Sequence, residues 1–132
     1  MVEAPASLQD ARETHSFFVS PGMCDLNGHL NTMFYTQAFD AASWRFFSPY
    51  EAGDTDLGWA DVRHEVTFKA EMMAGTSATI TSEIVRVGRT SIVTKHVMHN
   101  GEGEVAAEAV YTSVRFDLKK RCAVPIEDSF RA

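Results

Sequence analysis

Apolar and polar positions recur with two different periods along this chain. Over residues 33–47 (MFYTQAFDAASWRFF), Tyr35, Ala38, Phe39, Ala42 and Phe46 fall on one face at helical spacing, with Asp40 close to its edge. Pro49 ends the pattern, because a proline disfavours helical geometry in its predecessor. At about 15 residues this is the one strong helix signal in the chain. Its aromatic richness predicts deep packing, and Phe34, Tyr35, Trp44 and Trp59 read as core aromatics first.

Elsewhere the period is two. Residues 14–19 (THSFFV) form a short β-rich run that stops at Ser20-Pro21. After a polar, glycine-containing loop at 50–58, four β-branched and largely alternating runs follow. They cover Val62 with 65–68, then 78–85, 91–98 and 106–116. The breaks at 73–75, 87–89 and 100–103 have good turn chemistry, which predicts an antiparallel meander of four successive strands. His64, His96 and His99 read as polar-face strand residues without ligand-like spacing to acids or thiols. Residues 1–11 read as a loose N-terminus. The tail, 118–132, starts basic (Lys119-Lys120-Arg121) and ends in PIEDSFRA with one short helical turn. A lone apolar helix must be buried against the sheet, so the sheet has to curl around it. The expectation is an α+β fold over 1–132 as a single domain, with about five antiparallel strands around one long helix.

Composition narrows the function. The chain has 132 residues, 45% hydrophobic and 23% charged, an ordinary globular balance. A net charge of −6 argues against nucleic-acid or anionic-membrane partners and demands a local basic patch for any anionic ligand. The polar first twelve residues carry no leader pattern, and no apolar run approaches the roughly 20 residues of a bilayer span. Cys24 and Cys122 are too few and too far apart for a disulfide framework, which suits a cytoplasmic protein with free thiols. No signature supports a metal or a dinucleotide.

The chemistry gathers in 19–35 (VSPGMCDLNGHLNTMFY), where a strand ends, a polar turn follows and the helix opens. Pro21, Gly22 and Gly28 let the backbone turn sharply, and Asn31 or Thr32 is the candidate helix cap. Asp25 precedes the first free helical N–H groups by about seven residues, so a carboxylate and a carbonyl-polarising helix start lie together. Taken alone, an Asp-x-x-Gly segment is more often a turn former. His29 is either an acid–base group or a lock on the turn, and Asn31 either a cap or a substrate contact. Cys24 reads as an inert thiol beside them. Arg86 and Arg89 flank a glycine hairpin that is otherwise an ordinary charged surface.

The element order resembles the hot-dog fold, in which an antiparallel sheet wraps a central helix. Asp25-Leu26-Asn27-Gly28-His29-Leu30-Asn31 resembles the D-x-x-G-H-x-N signature of acyl-CoA thioesterases related to 4-hydroxybenzoyl-CoA thioesterase. Phe39-Asp40-Ala41-Ala42-Ser43 is similar to that family's helix, and weaker echoes occur at 68–71, Gly75, 88–91 and 115–117, so the likeness spans about 14–127. The variant V-x-P-x-x-C-D-x-N-G-H-x-N is similar to thioesterases acting on betainyl-CoA.

The resemblance implies an acyl-CoA thioester hydrolase. Asp25 would be nucleophile or general base, and an N–H near Thr32 would polarise the carbonyl. Arg89, Thr90 and Ser91 would contact the nucleotide end of coenzyme A, which belongs to the substrate, so no cofactor is called for. Relatives often carry a second acid two residues before the catalytic one. Here that place is Met23, which leaves Glu71 and Asp40 as helpers, Glu71 facing Asp25 across a subunit boundary. The exposed sheet edge favours a homodimer or homotetramer with active sites at the interface. Two rivals remain open: a hot-dog hydratase or dehydratase on acyl thioesters, and a non-catalytic acyl-CoA-binding protein.

Overall fold

The computed structural model describes residues 10–51 and 56–131. Strand β1 (Arg12–Phe18) leads through a short 3-10 turn at Pro21–Met23 to helix α1 (Thr32–Phe47). Strands β2 (Leu57–Phe68), β3 (Ser77–Val87), β4 (Ser91–His99) and β5 (Val105–Asp117) follow, then a two-residue β6 (Cys122–Ala123) and a 3-10 turn at Asp128–Arg131. The N-terminal expectation falls mainly on residues 1–9, outside the described residues, as do 52–55 of the loop expected at 50–58.

The helix forms where its spacing predicts. Tyr35, Ala38, Phe39, Ala42 and Phe46 are all buried on one face. Asn31 caps it, its side-chain oxygen accepting from the Met33 N–H at 3.0 Å. The buried face meets alternate residues of the sheet: Ala78, Ile80 and Ile84 on β3, Ile92 and Met98 on β4, Ala107, Ala109 and Tyr111 on β5.

The sheet order is β1-β3-β4-β5-β2, antiparallel throughout, with β6 on β5. The expected meander of four successive strands is therefore corrected. Only β3, β4 and β5 are joined as neighbours, and β2 pairs along β5 at the far edge from β1. The segment between β2 and β3 returns across the sheet and hydrogen-bonds the polar turn, with Leu30 N–H donating to Met72 O at 2.8 Å. No residue of β2 is fully buried, although it is 12 residues long.

Two side-chain expectations also change. Trp44 is no core residue: it is 77% exposed. His96 does not lie on a polar face. It is fully buried on the inner face of β4, its Nδ1 bonded to Ser82 Oγ (2.6 Å) and its Nε2 to Thr94 Oγ1 (3.0 Å). Thr14 Oγ1 extends the chain to Ser82 at 2.8 Å. At the other end of the core, Arg115 is 2% exposed and ties the tail down through Glu127 (2.8 Å) and Glu51 (3.3 Å). Among the described residues no helix is long and apolar enough to cross a membrane.

Burial pushes the His96 imidazole down to about 4 from the ordinary 6.5, so the folded state resists its protonation. The unfolded chain then binds the extra proton first as pH falls. The contribution is complete above the ordinary histidine range and is lost on descending from about 6.5 towards 4. Urea unfolding across that window should show the wild type losing up to roughly 3 kcal/mol more than His96→Gln. Parallel pH profiles for the two proteins would refute this account.

Candidate active site

The polar turn is built by its own backbone. Asp25 and His29 exchange a strand-like bond (Asp25 N–H to His29 O, 2.8 Å), Gly28 N–H donates to Asp25 O, and Cys24 pairs with Leu30. Gly28 has φ +81°, a left-handed conformation that a side chain would strain. Asp25 Oδ1 accepts from the N–H groups of Asn27 (2.9 Å) and His29 (3.2 Å). Half of the carboxylate thus serves as a turn former, while Oδ2 has no partner among the described residues. The turn is fixed to the rest of the chain by Leu30 on Met72 and by a bridge between His29 and Met73.

This arrangement opens a cleft of about 390 Å³ that Asp25, His29, Thr32, Tyr35, Lys69 and Glu71 help to line. Thr32 is the first residue of α1, and its amide is among the helix-start donors without an intrahelical acceptor. Asn31 satisfies the Met33 amide and so acts as a cap. His29 Nε2 lies 2.9 Å from Glu71 Oε1. Glu71 and Asp25 therefore share one cleft within one chain, where the sequence reading expects them to face each other between chains. Tyr35 forms the inner wall, packed edge-on against Phe68 at 4.9 Å; burial raises its phenol pKa.

Arg89, Thr90 and Ser91 are elsewhere. They form the β3–β4 hairpin, where Thr90 O accepts from Arg115 N–H and Arg89 O from Ile126 N–H. The guanidinium of Arg89 is exposed. Strand β3 starts beside the turn, since Val19 N–H donates to Thr76 O, and its 11 residues end at the hairpin. At about 3.3 Å per residue β3 itself runs roughly 33 Å, so the hairpin and the polar turn lie at opposite ends of that strand. One chain does not bring them together.

The sequence reading does not anticipate a second cluster. Tyr111 OH donates to Asp40 Oδ1 at 2.7 Å, and Ser113 Oγ to Asp61 Oδ1 at 2.7 Å. His64 Nε2 is 3.0 Å from Asp61 Oδ2, and its ring stacks on Tyr111 with centroids 3.5 Å apart. Donor atoms of Asp40, Asp61 and His64 all lie within 4.8 Å of one another, and among the described residues no other such group is close enough to share a cation. The reading of His64 as lacking acid neighbours is thus corrected. Residues 61 and 64 should point to opposite faces of a regular strand. A bulge at Val62 shifts the register, so Asp61 pairs with Ser113 and His64 with Tyr111, both on the inner face. Beside this cluster lies a larger cavity of about 510 Å³ between α1 and the start of β2, with Trp44, Phe47 and Trp59 in its walls.

The comparisons with known proteins agree with this architecture. The thioesterase-like superfamily matches residues 19–132. A Staphylococcus aureus protein solved in complex with CoA superposes with a TM-score of 0.80 at 17% identity, over 97% of this chain and 84% of that one. The BH1999 gentisyl-coenzyme A thioesterase gives 0.76 at 23% identity, over 93% of this chain and 100% of its own. A thioesterase from Thermus thermophilus, complexed with coenzyme A and Zn, gives 0.75 at 20% identity, over 92% and 87% of the two chains. At these identities the likeness is one of fold. No curated protein matches the chain. With one helix in a curled antiparallel sheet, the fold is a hot-dog fold, and the chain belongs to the thioesterase-like superfamily.

Proposed function

We propose that this protein hydrolyses acyl-CoA thioesters to a free acid and coenzyme A. The observation that carries the reading is the pairing, in one cleft, of a carboxylate oxygen with no partner among the described residues and the Thr32 amide at the start of a helix. A thioester whose carbonyl oxygen lay against the Thr32 amide would have its carbon exposed to Asp25. The carboxylate then attacks that carbon itself or takes a proton from a water that does so. In either route electrons move onto the carbonyl oxygen, the Thr32 N–H holds the oxyanion, and its collapse breaks the C–S bond. The thiolate of coenzyme A leaves and takes a proton from water or from the carboxyl group that Asp25 has become as general base. On the nucleophilic route a water then hydrolyses the mixed anhydride left on Asp25, which frees the acid and restores the carboxylate. The proposed steps call on no metal or redox cofactor, since coenzyme A arrives with the substrate.

His29 and Glu71 act on this reading by position. The His29 amide holds Asp25 Oδ1, and Glu71 fixes the imidazole at 2.9 Å, so the pair locks the turn over the cleft. Met23 leaves no acid in the position two residues before Asp25, and Glu71 is the nearest helper carboxylate lining the cleft.

The separation of Arg89 from Asp25 supports a homo-oligomer, a dimer or a pair of dimers. Strand β2 has one unpaired edge and no buried residue. A second copy aligned antiparallel along it would bring its own β3–β4 hairpin to the end of the assembly that holds Asp25. Arg89, Thr90 and Ser91 of one copy would then serve the nucleotide end of a substrate cleaved by the other. Free Cys24 and Cys122 fit a reducing cytoplasmic setting.

Thiol release over a panel of acyl-CoA thioesters should show turnover that falls at least about a hundredfold in Asp25→Asn. Turnover indifferent to that change would remove Asp25 from the chemistry. Arg89→Glu should raise KM for coenzyme A thioesters by roughly tenfold while sparing pantetheine thioesters, which lack the nucleotide. An equal effect on both substrates would argue that Arg89 acts on folding instead. Light scattering should give at least twice the monomer mass.

A further inference from the structure

Three successive carbonyl oxygens of the β3–β4 hairpin are held by other parts of the chain. Gly88 O accepts from Arg131 Nη2 at 2.9 Å, Arg89 O from the Ile126 N–H at 2.9 Å, and Thr90 O from the Arg115 N–H at 2.9 Å. Two of these donors belong to the tail. Across the hairpin, Gly88 N–H donates to Ser91 O at 2.7 Å. The backbone that carries Arg89 is therefore fixed before any ligand arrives.

The tail can hold the hairpin because it is itself anchored. Ile126 and Phe130 are 4% and 1% exposed, in one core cluster with Phe46, Phe47, Ile84 and Ile92. Between them Glu127 accepts from Arg115 twice, from Nε at 2.9 Å and from Nη2 at 2.8 Å. Those contacts seat residues 126–130. They do not account for Arg131, a surface residue whose guanidinium reaches the Gly88 carbonyl.

That reach puts a second cation at the hairpin. The Arg131 guanidinium lies one peptide unit from the Arg89 Cα, and Gly88 O occupies one of its five N–H donors. Asp128, its acid partner, is 3.8 Å away and fully exposed, too distant for a hydrogen bond and too well hydrated to neutralise it. Arg89 is exposed and makes no salt bridge among the described residues. Other cations are engaged: Lys69 and Lys95 share Glu108, and Lys119 pairs with Asp56. The bond to Gly88 O also fixes the guanidinium, so its remaining donors lose little rotamer freedom on meeting an anion. In a chain of net charge −6, two arginines with free donors on one pinned hairpin make a local place for a phosphate.

We propose that Arg131 is a phosphate-binding residue, holding with Arg89 a phosphate at the nucleotide end of coenzyme A, and that the tail is the element that delivers it. The proposal rests on the acyl-CoA reading and on the place of Arg89 in it. It gives the tail a part in recognising the substrate, where Ile126 and Phe130 alone would make it packing.

The test follows hydrolysis of one acyl group carried on coenzyme A, on dephospho-coenzyme A and on pantetheine. In Arg131→Gln, KM for the coenzyme A thioester should rise about tenfold with kcat unchanged, while the pantetheine thioester, which has no phosphate, keeps its KM. Dephospho-coenzyme A identifies the phosphate. If its KM is indifferent to the variant, Arg131 holds the ribose 3′-phosphate; if it rises as for coenzyme A, Arg131 holds the diphosphate. Adding Arg131→Gln to Arg89→Gln should raise KM for the coenzyme A thioester at least about threefold further. No further rise would mean that Arg131 acts only by placing Arg89, and would overturn the proposal. So would an equal rise on pantetheine, or no change on any substrate.

Calorimetric titration with coenzyme A itself separates the proposal from the hydrolase reading. Its Kd should rise about tenfold in Arg131→Gln. That result without turnover of any acyl thioester would sink the hydrolase reading and leave the phosphate site standing. Hydrolysis by the wild type, with coenzyme A binding absent or indifferent to Arg131→Gln, would sink the phosphate site and leave the hydrolase reading intact.

Discussion

Everything in this molecule depends on burying the aromatic stripe of α1. Tyr35, Phe39, Ala42 and Phe46 are all within 5% of complete burial, and each large member contributes about 1.5–3 kcal/mol once withdrawn from water. The sheet accepts them with residues from three strands, Ala78 and Ile80 of β3, Met98 of β4, and Ala107, Ala109 and Tyr111 of β5 joining Tyr35, Phe39 and Ala42 in one core cluster. With the stripe seated, the start of the helix has one available position. The polar turn that feeds it is then fixed from both sides, by the Asn31 cap and by the bonds from 29–30 to 72–73. Loosening the stripe would therefore move Asp25 and the Thr32 amide relative to each other.

Much of this is legible in the sequence because it is local. Helix spacing, a capping asparagine and glycine turns are each decided by a few neighbouring residues, and α1, the turn and the hairpins fall where those signals put them. The position of β2 is not local. Nothing between 57 and 68 says that its partner is β5 rather than β3, and only the long reach of the 69–76 connection permits the crossing.

Two other positions carry a local signal in the sequence. His96 shares its parity with Ile92 and Met98, so strict alternation along β4 already puts it on the inner face. Trp44 follows Ala42 by two residues, about 200° around the helix, and so points away from the buried stripe. The Asp61 and His64 pair is different in kind. Their spacing reads as opposite faces, and one extra residue at Val62 reverses it. A bulge leaves no mark in the sequence that its strand must obey, so this cluster becomes visible only once pairing is known.

The exposure of β2 follows from the same geometry. One helix covers the inner face of β1, β3, β4 and part of β5, and it cannot also cover a fifth strand at the far edge. What it leaves open is the surface that holds Tyr111, Asp40, Asp61 and His64, where hydroxyl donors take one oxygen of each carboxylate. Both carboxylates stay in contact with water, and the hydroxyls of Tyr111 and Ser113 order them against the sheet without withdrawing them from solvent.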